Sequence, residues 1–279
     1  MSRSSAPGRM IGRISREVIM IAVALAFAFP VYVFVTISLK APRDVARAPL
    51  APPTSLHLEN YRKAWTEGAL GQAMMNSVVV TVISVALLVL LGSAAAYVLA
   101  RRLSRLSLGL YLLFLLGLMV PLQLGMVPLY QLMQNANLLG TYTSLIIFHV
   151  GHQMPFTIFL YAGFIRALPR EYEEAAQVDS ATPFQAFRQI VFPLLRPITG
   201  TVVILTGISV WNDFLVPLLY VGGSAQRTLP VAIFSFRGEF TTEWGVIFAG
   251  MVLAIVPILV IYFLLQKYII HGFASGLRG

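Results

Sequence analysis

Six separate runs of apolar residues, each about as long as a bilayer is thick, divide this chain. A hydrocarbon core of about 30 Å is crossed by roughly 20 residues of helix, because each residue advances the axis by about 1.5 Å. Backbone amides in lipid must be satisfied within their own segment, so continuous apolar runs of this length are expected as helices. The runs fall at about residues 18–39, 77–100, 109–133, 143–165, 198–220 and 245–266. The expected fold class is therefore all-α, a polytopic membrane protein of six transmembrane helices. A short N-terminus, 1–17, precedes a single transmembrane domain over 18–279.

Composition supports this class. Hydrophobic residues make up 58% of the chain and charged residues 11%, whereas soluble domains carry about a quarter charged residues. Cysteine is absent, which excludes disulfides, thiolate nucleophiles and cysteine metal sites. The net charge of +9 reads as basic loops facing anionic lipid, and no nucleic-acid partner is expected. Arg13 and Arg16 ahead of the first run give it the look of a secretory signal. Its length exceeds the roughly 7–15 apolar residues of such a signal, so it is read as a retained span. The third run is the least regular, because Pro121 and Pro128 should kink or break it.

Orientation follows from Lys and Arg. With the N-terminus inside, the cytoplasmic segments hold 13 of these residues and the external ones 7, five of them in the long loop 40–76. Both termini are then cytoplasmic. The long external loop is proline-rich and runs into HLENYRKAW, which reads as a short amphipathic helix on the outer surface.

Between the fourth and fifth runs, residues 166–197 hold a mixed-charge segment, EYEEAAQVDSATPFQAFRQIVFPLLRP, on the cytoplasmic side. Pro169 suits the first position of a helix, and Glu171, Glu173 and Glu174 suit its positive end. That helix should end near Asp179 and Ser180. A second begins with Thr182 as N-cap, Pro183 after it and Gln185 completing a capping box. Phe184, Phe187, Ile190 and Val191 recur at helical spacing, Pro193 should stop the helix, and Pro197 should open the fifth span. One reading is an amphipathic hairpin that links two spans at the membrane face. The other is a docking surface, with Ala175 and Ala176 leaving it smooth and Glu174 able to take an arginine from a partner.

The segment resembles permease subunits of binding-protein-dependent ATP-binding-cassette importers. These carry Glu-Ala-Ala-x-x-x-Gly, nine residues, then Ile-x-Leu-Pro between two late spans. This chain has Glu174-Ala175-Ala176, Ser180 at the glycine position, nine residues, Ile190, and Phe192-Pro193. Two residues depart from the pattern, Ser for Gly and Phe for Leu. If the turn needs a positive φ at 180, Ser costs up to about 1–2 kcal/mol more than Gly. LHLENYRKAW, MVPLYQLMQNANLLGTYTSLII, WNDFLVPLLY and HGFASGLRG extend the resemblance to the maltose-type carbohydrate branch over residues 15–279.

The resemblance implies a partnership with a second homologous permease, two cytoplasmic ATPase subunits and an external solute-binding protein at the cell (inner) membrane. It implies that Glu174, Ala175, Ala176, Asp179, Ser180, Ile190 and Pro193 couple the spans to the ATPase. The solute implied is a mono- or oligosaccharide, with another small solute such as glycerol phosphate as the alternative. Two other classes remain open: a stand-alone secondary transporter, and a membrane anchor for a cytoplasmic complex.

Polar residues inside the runs are the remaining candidates. Asp213 stands about 15 residues, or roughly 22 Å, into the fifth run. His149, His152 and Gln153 stand in the fourth at an overlapping depth, and Asn212 adjoins Asp213. Buried ionisable groups in membranes face a bundle interior or a wet path. These groups either meet sugar hydroxyls there or bond helix to helix. Trp211 is read as a path residue or a belt aromatic. Gly92 to Ala96 form a small-residue patch that lets helices approach. No phosphate-binding loop, His-Glu-x-x-His site or Gly-x-Ser-x-Gly elbow occurs, so neither an enzyme, a metal site nor a cofactor is expected.

Overall fold

The computed structural model describes residues 7–102, 104–178, 180–236 and 243–276, and all regular structure among them is helical. In chain order the helices are α1 (Pro7–Ser38), α2 (Pro42–Arg47), α3 (Glu59–Thr66), α4 (Leu70–Arg101), α5 (Arg105–Gly117), α6 (Leu122–Asn135) and α7 (Tyr142–Ala167). There follow α8 (Glu171–Val178), α9 (Pro183–Ala186), a π-helical turn (Phe187–Val191), α10 (Phe192–Leu194), α11 (Arg196–Asn212), α12 (Leu215–Val221), α13 (Leu229–Phe234) and α14 (Trp244–Gly276).

Among the described residues, three helices are long and apolar enough to cross a membrane alone: Arg16–Ser38 within α1, then α4 and α7. Two bent pairs bring the number to five if each pair is one span. The sixth apolar run lies in α14, a single helix of 33 residues. The third and fifth runs are bent rather than straight, and the reasons are local. α5 and α6 meet at 98° because Pro121 takes an extended conformation, φ −61 and ψ 126, which no helix can continue. Pro128 sits inside α6 without ending it. The fifth run breaks after Asn212, where Asp213 is extended and its Oδ1 accepts the N–H of Leu215 at 3.1 Å. A short carboxylate that bonds the backbone two residues on competes with helix continuation.

The chain divides into two compact units, residues 1–70 with 233–255, and 71–232 with 256–279. In the first, the HLENYRKAW segment forms α3 as expected, and its Asn60 and Ala64 are buried. Asn60 Nδ2 donates to the carbonyls of Ser38 and Lys40 at 2.9 and 2.8 Å, and the buried Lys40 Nζ donates to the carbonyl of Ala48 at 2.6 Å. The Asn60 bonds satisfy backbone carbonyls at and just beyond the end of α1, and the Lys40 bond satisfies one just beyond the end of α2. Residues 18–29 of α1 are exposed on every side.

Two apolar clusters hold the second unit together. One gathers Ala96, Leu99 and Ala100 of α4 with Tyr111 of α5, Ile158 to Ile165 of α7, and Val191, Leu195 and Val202. The other joins Val80, Met133, Leu145, Phe148, Val210 and Tyr220. Gly92 of the small-residue patch packs so tightly that an added Cβ would stand 2.4 Å from Thr157 Cγ2 of α7. The patch is where α4 and α7 touch.

Candidate functional site

The described part of segment 171–197 folds as α8, then α9 running through the π turn into α10, and its local signals explain why. Thr182 Oγ1 accepts from Gln185 N–H and Gln185 Oε1 accepts from Thr182 N–H, so the expected capping box closes α9. Pro169 falls two residues ahead of α8 and not at its first position. The chain bends by 74° between Leu194 and Arg196, so the second helical stretch ends one residue past Pro193. A π turn opens ahead of it, with Phe192 N–H donating to the Phe187 carbonyl, and this widening makes room for the proline ring. Pro197 sits in the first turn of α11, as expected.

Ser180 has φ +63, the left-handed region. Its N–H donates to Gln177 O and that of Ala181 to Ala176 O, both at 3.0 Å. This bond pair is the helix stop in which glycine is the usual left-handed residue. Ser180→Gly is therefore expected to stabilise the turn by about 1 kcal/mol. Hydrogen exchange at the amides of 180 and 181 should slow roughly fivefold, since about 1.4 kcal/mol is a factor of ten.

The acidic residues of α8 face different ways. Glu173 is buried, with Oε1 accepting from Arg101 Nε at 2.7 Å and Oε2 accepting from Tyr97 Oη at 2.9 Å. Arg101 Nη2 also donates to the Leu168 carbonyl at 3.1 Å. The ion pair is nearly enclosed, its side chains 12% and 9% exposed. Removing one partner of such a pair costs about 3–5 kcal/mol, because the other charge stays buried. Glu174 and Ala175 are exposed. Ala176, at 8% exposure, turns into the chain. The expectation of a smooth alanine pair is thus corrected: a helix turns about 100° per residue, and only Ala175 lies outward.

A second correction concerns Phe184, which leaves the apolar face formed by Ala186, Phe187, Ile190 and Val191 and stands 68% exposed. Val178 is 84% exposed. Asp179 lies outside the described residues.

The structure brings some of the intramembrane polar residues together. His149, buried on α7, places Nε2 3.8 Å from Asp213 Oδ2, and that nitrogen has no hydrogen-bond partner among the described residues. Gln153 Nε2 donates to Ser209 Oγ of α11 at 2.5 Å. His152 is exposed and stacks on Phe148 at 5.7 Å. Asn212 stays apart, exposed, its Nδ2 bonded to the Ile208 carbonyl of its own helix. Trp211 is buried and lines an apolar groove of about 780 Å³ with Val85, Val89, Val203 and Ile208, so it is no belt aromatic.

Comparison with known proteins bears on these features. The family model of the binding-protein-dependent transport system inner membrane component matches residues 88–274. The chain is 36% identical over 243 residues to the melibiose/raffinose/stachyose import permease protein MelC of Bacillus subtilis, covering 87% of this chain and 88% of that one. It is 35% identical over 243 residues to the multiple sugar-binding transport system permease protein MsmG of Streptococcus mutans, covering 86% and 87%. A chain of the crystal structure of a bacterial ABC transporter involved in the import of the acidic polysaccharide alginate shares the fold. Its TM-score is 0.81 at 20% identity, covering 96% of this chain and 100% of that one. The family match begins inside α4 and ends within α14, so it takes in α7 with His149, the segment 171–197 and the broken fifth run with Asp213. The chain belongs to the binding-protein-dependent transport system inner membrane components, the permease subunits of ATP-binding-cassette importers.

Proposed function

We propose that this permease passes a mono- or oligosaccharide, delivered by an external solute-binding protein, through the cell (inner) membrane. ATP hydrolysis belongs to a separate subunit. Two such subunits dock on the inner face, and a second homologous permease completes the path. The names of MelC and MsmG support the sugar, and the bias of Lys and Arg supports cytoplasmic termini. The single observation that carries the docking reading is the outward face of α8 and α9. Glu174, Ala175, Val178 and Phe184 are exposed there, while Glu173 and Ala176 hold the helix to its own chain.

Glu174 pairs with a basic side chain of the ATPase, Ala175 allows close approach, and Val178 and Phe184 fill a cleft. Ser180, Ile190 and Pro193, with Asp179, shape the turn and the helix that follow. His149, His152, Asn212 and Asp213 offer donors and acceptors to sugar hydroxyls. For Gln153 a second reading is favoured, since its bond to Ser209 ties α7 to α11.

A lone cysteine at Ala175 tests the docking, because the chain has none of its own. Crosslinking in native membranes is expected to capture the ATPase subunit, with a yield that nucleotide changes. Capture of no protein in any nucleotide state would remove the docking reading.

A further inference from the structure

We infer that α4 is a strut between the docking loop and the segment 225–229 at its other end, gripped at each end by buried polar side chains. The inference rests on the docking reading above. At one end, Tyr97 and Arg101 stand four residues apart and so share a face of α4. Arg101 holds Glu173 of α8 and the carbonyl of Leu168 just beyond α7. Tyr97 holds the other oxygen of Glu173, and its ring meets that of Phe187 in the π turn at 5.0 Å. Both helices of the docking loop are thereby fixed to one point on α4. Among the described residues of α8, the other inward one is Ala176, which carries no polar group, so Glu173 is the polar grip on this helix.

At the far end Asn76 Nδ2 donates to the carbonyls of Ala225 and Arg227 at 3.0 and 2.8 Å. Tyr142 Oη donates to Asn76 Oδ1 at 2.7 Å and orients the amide. The neighbouring Ser77 Oγ accepts the N–H of Leu229 at 2.8 Å. Asn76 and Ser77 are both buried. From Asn76 to Arg101 is roughly 38 Å of helix at about 1.5 Å per residue.

Between the two grips α4 is continuous. It is 32 residues long with no internal proline, whereas α1, α7 and α14 contain Pro30, Pro155 and Pro257. α5 and α6 part at Pro121, and α11 ends at Asn212. Prolines, breaks and Gly-Ser pairs are where a helix bends; α4 has neither of the first two, and its Gly92-Ser93 pair is packed tightly against Thr157 of α7. A shift of Glu173 when the ATPase closes therefore arrives at residues 225–229 undiminished. A solute-binding protein engaging the outer face acts back through the same rod, because coupling between two sites is reciprocal.

The test reads ATPase activity of the reconstituted complex without and with its solute-binding protein. The ratio does not depend on how much complex assembles. Glu173→Gln and Asn76→Ala are each expected to lower the ratio about tenfold, as is usual for breaking one coupling contact. The double variant should fall no further, since both changes cut one rod. Tyr97→Phe, which removes a single hydroxyl, should lower the ratio severalfold and decides the matter where Glu173→Gln fails to assemble. The exchanged pair Arg101→Glu with Glu173→Arg should restore part of the ratio.

Capture of the ATPase by the cysteine at 175 should persist in each variant. If that capture already fails in the otherwise unaltered chain, the docking reading falls and not the strut. Ratios that stay within twofold in Glu173→Gln, Asn76→Ala and Tyr97→Phe would overturn the strut. Single effects that multiply in the double variant would overturn it too, because they would mark two independent structural injuries.

Discussion

Replacing Ala175 by Trp is expected to abolish ATP-driven uptake, by about a hundredfold or more, while permease in the membrane stays within about twofold of normal. Ala175 is exposed on α8, so its own fold has room for the larger side chain. The cost falls on the partner. On the proposed docking, a surface that fits by close approach cannot accept an indole at its centre, and the proposed contacts of Glu174, Val178 and Phe184 would be lost with it. The measurement is co-purification of the ATPase subunit with the permease, alongside uptake. Ala176→Trp is the control, one residue and about 100° of helix away. Ala176 is buried, so overpacking there should destabilise the loop itself by about 1–3 kcal/mol. The Ala176 variant should lose both the protein and its partner. If Ala175→Trp retains the ATPase and transports normally, α8 is not the docking face.

That contrast shows what the sequence could and could not reveal. The helical class and the apolar runs were legible because lipid admits few alternatives to a helix. The capping box of Thr182 and Gln185, and the break at Pro121, were legible because each depends on residues within three or four positions. The facing of α8 was not. Glu173 and Glu174 are chemically identical, and hydropathy places any glutamate outward. What turns Glu173 inward is Arg101, more than seventy residues earlier, together with the hydroxyl of Tyr97. The only sequence hint was an aromatic and an arginine four apart at the end of an apolar run.

The fifth run misled for a similar reason, as both flanks of Asp213 stay apolar and only the Asn212-Asp213 pair marks the break. The polar residues of α7 and α11 were placed at overlapping depths, and the contacts of His149 with Asp213 and of Gln153 with Ser209 agree. Depth alone did not say that Asn212 would bond its own helix.

The small-residue patch gives the second large effect, and here two opposing terms have a calculable winner. Gly92→Ala should gain up to about 1 kcal/mol of helix propensity in α4. Against this, its methyl would lie 2.4 Å from Thr157 Cγ2, a distance real Cβ atoms do not tolerate. Thr157 is fully buried and its Oγ1 donates to the Gln153 carbonyl, so rotating the side chain to relieve the clash breaks a bond in the interior. Overpacking of this kind costs about 1–3 kcal/mol, so the net effect is destabilising, and Gly92→Leu should prevent assembly altogether. The cause can be isolated by removing the offending methyl. Thr157→Ser keeps the hydroxyl and deletes Cγ2, at a cost of about 1 kcal/mol for the lost contact. In that background the nearest atom to the new methyl is Cβ of residue 157 at 3.3 Å, a tight contact that a shift of a few tenths of an ångström relieves, and the propensity gain is kept. The substitution should change sign, lowering the melting temperature in detergent when made alone and raising it when combined with Thr157→Ser. A Gly92→Ala effect that is the same in both backgrounds would mean that contact between α4 and α7 at this point does not limit their packing.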